Sequence, residues 1–359
     1  MNNQGPRYLG QTVDVKAAHA FDVGSLRTFL GDTLPGFAGP LSLRQFDGGQ
    51  SNPTYLLETP ERKYVLRRQP PGKLLKSAHA VDREFRVMRA LFEAGFPVPQ
   101  PLVLCEDASV IGTMFYVMAH VPGRVFLDCT MPDLSREDRA AVFDSVNETL
   151  ARLHSLDHAA LGLSDFGSPG NYFSRQIARW TRQCEQSMLE PIPELEKLMA
   201  WLPGAIPQED EIASVIHGDY SFHNVLIHPE QPRVVAVVDW ELSTIGHPLG
   251  DLMYHTMDWY RPAGISVRNT LADKDLVALG VPDFESYVRR YFERTGTRWS
   301  GNLAFYRAYN LFRVAAIVQG IASRQREGNA ASSNAAQVAT SVRPLASAAW
   351  REAQKAGAV

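Results

Sequence analysis

The stretch VIHGDYSFHNVLIHPEQPRVVAVVDWE, residues 215–241, decides how this chain is read. Short apolar runs of strand length alternate in it with polar punctuation. At the ends of those runs stand His217, Asp219, Asn224 and Asp239, which a plain strand-turn-strand unit does not need. Taken singly, Asp219 reads as a turn former, Asn224 as a cap and Asp239 as a strand-end acid. All three at this spacing, on strands otherwise as apolar as VLI and VVAVV, read as a chemical site.

The chemistry that fits is phosphoryl transfer. It asks a protein for a carboxylate to orient the attacking hydroxyl, ligands for Mg²⁺, and donors along the phosphates. A protein-kinase catalytic loop supplies the first two as an Asp, four intervening residues and an Asn. Asp219 and Asn224 have that spacing, and the two strands that follow return the chain to Asp239, where the pattern has its metal-binding Asp. A carboxylate and a carboxamide are hard oxygen ligands of the kind Mg²⁺ takes beside nucleotide phosphates.

Working outward, 359 residues are enough for two domains or lobes at about 150 residues each. A net charge of −3 excludes whole-protein attraction to nucleic acid or anionic membrane. No apolar leader follows MNNQGPRYLG, and no run reaches the roughly 20 residues of a spanning helix. Cys105, Cys129 and Cys184 are widely spaced with no C-x-x-C pair, the pattern of a reduced, cytoplasmic chain.

The texture changes once along the chain. A helix is expected around 22–34, from Val23, Leu26, Phe29 and Leu30. LSLRQFDGG, PTYLLET, KYVLRRQ, PLVLCED and GTMFYVMAH then predict strands, interrupted by a helix over AHAVDREFRVMRALFEAG that stops at Gly95. After VPGR (121–124) the periodicity is helical at 135–156, 172–189, 247–260, 283–295 and 302–325. Strands are expected only at 213–217, 224–228 and 233–239, and the Ala/Ser-rich tail 328–359 carries Val338, Leu345 and Trp350 for packing. The expected division is an N-terminal helical extension over 1–40, a β-rich lobe over 41–120 and a helical lobe over 121–359.

HGDYSFHNVLI followed by VVAVVDWE resembles the aminoglycoside phosphotransferase and choline kinase family, small-molecule relatives of protein kinases. WELSTIGHPLGDLMY, with AHAVDREFRVMRAL upstream and FRVAAIVQGIASR downstream, resembles the branch associated with acyl-CoA dehydrogenases. The resemblance covers about residues 40 to 325. It implies an α+β, two-lobed protein-kinase-like fold, with a small antiparallel β lobe carrying one helix and a larger, mainly helical lobe. It implies ATP and Mg²⁺ as cofactors, nucleotide bound between the lobes and a small-molecule hydroxyl acceptor. By the same resemblance Asp219 is the catalytic base, Asn224 and Asp239 hold the metal, and Asp251 braces the catalytic loop.

Further positions follow the kinase pattern. In FDGGQSNPTY, Gly48 and Gly49 allow close backbone approach to phosphate, and Gln50, Ser51 and Asn52 add donors. Arg67 in YVLR stands where kinases carry a strand lysine. It contacts the phosphates unless Lys73 or Lys76 does, and Glu84 is its natural ion-pair partner. Ala119, His120 and Val121, just before Pro122-Gly123, are placed to read adenine through backbone groups. His154 reads as a structural helix histidine. His-Gly-Asp in place of His-Arg-Asp, with no A-P-E after Asp-Trp-Glu, fits a constitutively assembled small-molecule kinase rather than a switched protein kinase.

Two other readings compete. A metal-dependent hydrolase would use His217, Asp219, His223, His228 and Asp239, but it leaves Arg67, Glu84 and Asn224 without a role. A non-catalytic kinase-like nucleotide-binding module has no need of the full Asp219, Asn224 and Asp239 set. For the acceptor, Arg261, Arg268, Arg289, Arg290, Arg294, Arg307 and Arg313 favour an anion over a polycationic antibiotic. A hydroxy acid or a hydroxyacyl-CoA leads, on the branch's association alone. No flavin or dehydrogenase activity is expected.

Overall fold

In the computed structural model, residues 11–47, 52–72, 79–188, 190–207, 212–265, 269–297, 301–326 and 335–359 are described. The first elements in chain order are β1 (Thr12–Val13), α1 (Val23–Thr33), β2 (Ser42–Phe46), β3 (Thr54–Glu58) and β4 (Lys63–Arg68). Next come α2 (Val81–Glu93), β5 (Pro101–Cys105), β6 (Phe115–Ala119), α3 (Arg136–His154), α4 (Tyr172–Ser187) and α5 (Pro193–Trp201). The strands of the quoted stretch and its continuation are β7 (Ser214–Ile216), β8 (Val225–Ile227), β9 (Val234–Val237) and β10 (Thr244–Gly246). Helices α6 (Pro248–His255), α7 (Leu276–Leu279), α8 (Phe284–Thr295), α9 (Ala304–Arg326), α10 (Ala335–Ala339) and α11 (Val342–Lys355) complete the chain.

By contact these elements fall into two compact units. Unit 1 is Met1–Leu127 with His223–Ser243, and unit 2 is Asp128–Phe222 with Thr244–Val359. In unit 1, six strands form one sheet in the order β1-β2-β3-β4-β6-β5, antiparallel at every pairing. Tyr55 and Leu57 of β3, Leu66 of β4, and Phe115 and Val117 of β6 point to one face and are fully buried. Leu26 and Leu30 join the same core. The stripe that made α1 legible therefore packs on this sheet, and residues 11–40 belong to unit 1 rather than standing apart. Asp22 caps α1 by accepting from the N–H groups of Gly24 (2.7 Å) and Ser25 (3.2 Å).

The antiparallel hairpin of β8 and β9 also belongs to unit 1, although about a hundred residues of unit 2 precede it in the chain. Two seams explain this. Val237 N–H donates to the Pro97 carbonyl at 2.8 Å, and the Arg124 and Ile227 backbones exchange bonds of 2.7 and 2.9 Å. At Gly123 an added Cβ would stand 2.9 Å from the Leu226 Cβ, so the Pro122-Gly123 connector passes β8 at a distance that excludes a side chain. Unit 1 therefore takes in residues 223–243, which the sequence had grouped with the helical lobe.

Unit 2 is helical around a second, two-stranded antiparallel sheet of β7 and β10. Sequence reading missed β10, whose three residues include a glycine. It also missed β1 and α5. An added Cβ at Gly246 would meet the Tyr172 ring at 2.8 Å, so β10 lies against α4 where a larger residue cannot. Helix α9 is buried on most of its surface, with α4, α6 and α11 packed on it. The tail packs as α11 through Leu345, Ala346, Ala349 and Ala353. Among the described residues, no helix is long and apolar enough to cross a membrane.

Candidate active site

In unit 1, β4 is an interior strand and carries Arg67 with 12% of its side chain exposed. Nε of Arg67 lies 2.9 Å from Glu84 Oε2, and Nη2 lies 2.7 Å from Asp239 Oδ1 and 3.2 Å from Glu241 Oε2. Arg67 is thus no surface residue on an edge strand, and Glu84, 1% exposed on α2, is no solvated charge. Burial pushes the Glu84 carboxyl up to about 7, with Arg67 opposing that rise and Asp239 and Glu241 adding to it. Three carboxylates share one guanidinium, so the cluster keeps an excess of negative charge.

Asn224 and Asp239 are brought together by the hairpin, because Val238 N–H donates to the Asn224 carbonyl at 2.9 Å. Asn224 is 5% exposed. Asp239 has a left-handed backbone, with φ of 67°, at the turn after β9. Such a conformation costs a non-glycine residue roughly a kcal/mol or more and persists where the surroundings over-determine it; here its carboxylate is held by Arg67. Asn52 is buried, with its carboxamide 3.0 Å from His79 Nδ1 and 3.5 Å from Glu241 Oε2. Gly48, Gly49, Gln50 and Ser51, like Lys73 and Lys76, lie outside the described residues.

The backbone of the connector is partly committed. Ala119 N–H donates to the Gln100 carbonyl at 2.9 Å, and His120 N–H to the Lys63 carbonyl at 3.3 Å. The Ala119 and His120 N–H groups are therefore spent within the protein.

In unit 2, the His217-Gly218-Asp219 loop leaves β7 and is held from α6. The buried Asp251 carboxylate accepts the His217 N–H at 2.5 Å and the Gly218 N–H at 2.8 Å. Gly218 has φ of 83°, which explains glycine where protein kinases place arginine. Burial alone would raise the Asp251 carboxyl, but His154, His217 and the Gly218 N–H outweigh it and hold it below the usual range. His154 bonds Tyr291 Oη at 2.7 Å through Nδ1 and faces Asp251 Oδ2 at 3.5 Å through Nε2. It is a structural helix histidine, tied nevertheless to the loop through Asp251. From α9, Arg313 Nη2 donates to the Gly218 carbonyl at 2.6 Å.

With this geometry in place, known proteins are informative. Residues 42–287 match the model of the phosphotransferase enzyme family. The chain belongs to that family. Among the phosphotransferases and their relatives, it is 43% identical over 340 residues to rat acyl-CoA dehydrogenase family member 11, covering 93% of this chain and 44% of that protein. It is 41% identical to mouse acyl-CoA dehydrogenase family member 10, covering 98% of this chain and 33% of that one. The chain thus spans less than half the length of these two relatives. A Ralstonia eutropha protein, provisionally named an aminoglycoside phosphotransferase, superposes with a TM-score of 0.86 at 46% identity, covering 94% and 99% of the two chains. Aminoglycoside phosphotransferase APH(4)-Ia, solved with AMP-PNP and hygromycin B, superposes at 0.60 with 17% identity, over 92% and 99%. The fold of this phosphotransferase is therefore α+β and protein-kinase-like.

Residues that sequence reading passed over are Glu241 and His79, which complete the Arg67 and Asn52 contacts. The signal for Glu241 was present in Asp-Trp-Glu, two residues past Asp239. The hydrolase reading finds no support in side-chain placement. His228 Nδ1 accepts the Glu230 and Gln231 N–H groups, and His217 Nδ1 accepts the Asp219 N–H. Among the described residues no three His, Cys, Asp or Glu side chains are grouped to hold a metal.

Proposed function

We propose that this phosphotransferase transfers the γ-phosphoryl of ATP, with Mg²⁺, to a hydroxyl of a small anionic metabolite. The observation that carries the reading is the β8–β9 hairpin that carries both Asn224 and Asp239, with Asp239 bonded to Arg67 of the Arg67–Glu84 ion pair. The donor set fits the metal. Asn224 and Asp239 offer two hard oxygen ligands from one hairpin, Asp239 within a cluster of excess negative charge, and Mg²⁺ is usually bound through one or two carboxylates plus substrate phosphates. When bound, Mg²⁺ would neutralise charge on the phosphate oxygens.

The chain's own residues take these roles. Asn224 and Asp239 hold the metal. Arg67 commits Nε and Nη2 to carboxylates, which leaves Nη1 outside that set to face the phosphates. Gly49, Ser51 and Asn52 are assigned to the phosphates, and Ala119, His120 and Val121 to the base. Asp219 orients the acceptor hydroxyl and takes its proton, while Asp251 keeps the loop in place. The named acyl-CoA dehydrogenase relatives support a hydroxy acid or a hydroxyacyl-CoA as acceptor. Three free, buried cysteines support a reducing, cytoplasmic setting.

Calorimetry with ATP, with and without Mg²⁺, tests the nucleotide half. A nucleotide-consumption screen over hydroxy acids, hydroxyacyl-CoAs, choline-type alcohols, sugars and aminoglycosides tests the acceptor. Binding that Mg²⁺ tightens is expected, and no detectable binding in excess Mg²⁺ would sink the reading.

A further inference from the structure

The arginines of unit 2 are not equivalent. Arg261 is paired with Asp258, Arg290 and Arg294 with Asp144, and Arg307 with Glu352. Arg289 is exposed, and Arg268 lies outside the described residues. Arg313 differs from them all. It is 6% exposed, and among the described residues no carboxylate forms an ion pair with it. Its one hydrogen bond to the described protein is the 2.6 Å contact to the Gly218 carbonyl. Arg139, buried to the same extent, donates to the carbonyls of Met131, Leu134 and Leu279. A guanidinium carries five donors, and Arg313 commits only Nη2 to the described protein, which leaves the others for an incoming group.

The surroundings of Arg313 fit an incoming anion. The Tyr254 ring lies 4.8 Å from its Cζ and the Trp180 ring 5.8 Å, and the one carboxylate that acts on it through space, Asp219, forms no ion pair with it among the described residues. The buried Tyr309 hydroxyl, one helical turn before Arg313 on α9, faces the Trp180 indole N–H and the Tyr172 hydroxyl. The carbonyl that Arg313 holds belongs to the residue immediately before Asp219.

We propose that Arg313 binds an oxyanion of the phosphate acceptor and so selects acceptors with a negative group near the reacting hydroxyl. This rests on the phosphotransferase reading above and narrows its substrate class. The oxyanion is either a carboxylate on the acceptor or a phosphate of a carrier attached to it, and a guanidinium fork suits both.

The test uses the whole chain and three probe sets: unbranched hydroxycarboxylates from glycolate to 6-hydroxyhexanoate, their methyl esters, and their coenzyme A thioesters. Phosphorylation is read as ADP release and binding as a thermal shift without nucleotide. An acid or a thioester should exceed the matching neutral ester in kcat/KM by about 10- to 100-fold, the scale of hydrogen bonds to a charged group. Acid over thioester assigns the carboxylate, and the reverse assigns the carrier phosphate. Arg313→Gln should abolish the preference, and Arg313→Lys should restore part of it, with Mg·ATP affinity unchanged. Esters equal to the anionic probes in the wild-type protein would overturn the inference, whatever the variants do. So would Arg313→Gln lowering turnover of all probes equally, the mark of a mere loop anchor, or no probe binding at all. Failure of Mg·ATP binding would instead strike the phosphotransferase reading, so the two failures are distinguishable.

Discussion

Arg67 Nη2 stands 2.7 Å from Asp239 Oδ1, joining an interior strand of the six-stranded sheet to the turn after β9. The same guanidinium neutralises Glu84, which is 1% exposed. Removing one partner of a buried pair typically costs about 3–5 kcal/mol, because a desolvated charge is left behind. Arg67→Met should therefore destabilise unit 1 by that order in urea denaturation, and adding Glu84→Gln should recover much of the loss. A double variant no more stable than Arg67→Met would show that the buried carboxylate is not the source of the cost.

Asp219 and Asp239 are expected to fail in different ways on the proposed assignment. Asp219→Asn keeps the shape of the side chain and removes its charge, so turnover should fall about 10²- to 10⁴-fold with nucleotide affinity little changed. Asp239→Asn should weaken Mg²⁺-dependent nucleotide binding as well. Steady-state kinetics paired with calorimetry separates the two. A kcat for Asp219→Asn within a few-fold of wild type would remove Asp219 from the role of base.

Asp251 acts through backbone rather than substrate, and its variant should show that. Its two carboxylate oxygens each accept one N–H of the His217-Gly218 turn. Asp251→Asn turns an amide NH₂ towards one of those donors, at a cost of about 1–3 kcal/mol for the group left unsatisfied. Stability and kcat should both drop, while Mg·ATP affinity holds. Unaltered thermal melting in Asp251→Asn would mean that the loop does not depend on this brace.

His255 sets a pH limit on unit 2. It is buried with Nε2 2.7 Å from Tyr287 Oη, and burial lowers its pKa to about 3. The unfolded chain protonates a histidine near 6.5, so below that pH it takes up a proton that the folded protein refuses. The contribution of the neutral ring is complete above pH 6.5 and is lost as pH falls from there towards 3, at about 1.4 kcal/mol per pH unit. Denaturation midpoints at a series of pH values should show this slope, and His255→Gln should flatten it. Equal slopes in the two proteins would assign the acid sensitivity elsewhere.

The sequence by itself determined what depends on local pattern. Alternating apolar residues marked β2 to β6 of the sheet, helical periodicity marked α2, α3, α8 and α9, and the Asp219-Asn224-Asp239 spacing is the ground of the proposed chemistry. Arg67 and Glu84 could be named as partners because the kinase pattern sets one on a strand and the other on the helix after it. Tertiary structure alone decided which distant segments meet. The quoted stretch is divided between two sheets, with β7 pairing β10 in unit 2 and β8 pairing β9 in unit 1. Strands of three or four residues carry too little side-chain pattern to specify a partner, so close packing at Gly123 and Gly246 and the Pro97 carbonyl settle the matter. The arginines of the helical half looked alike as letters. Only packing separated the paired Arg261, Arg290, Arg294 and Arg307 from Arg313, because the cost of a buried charge depends on what lies within a few ångströms of it, and sequence order does not record that distance.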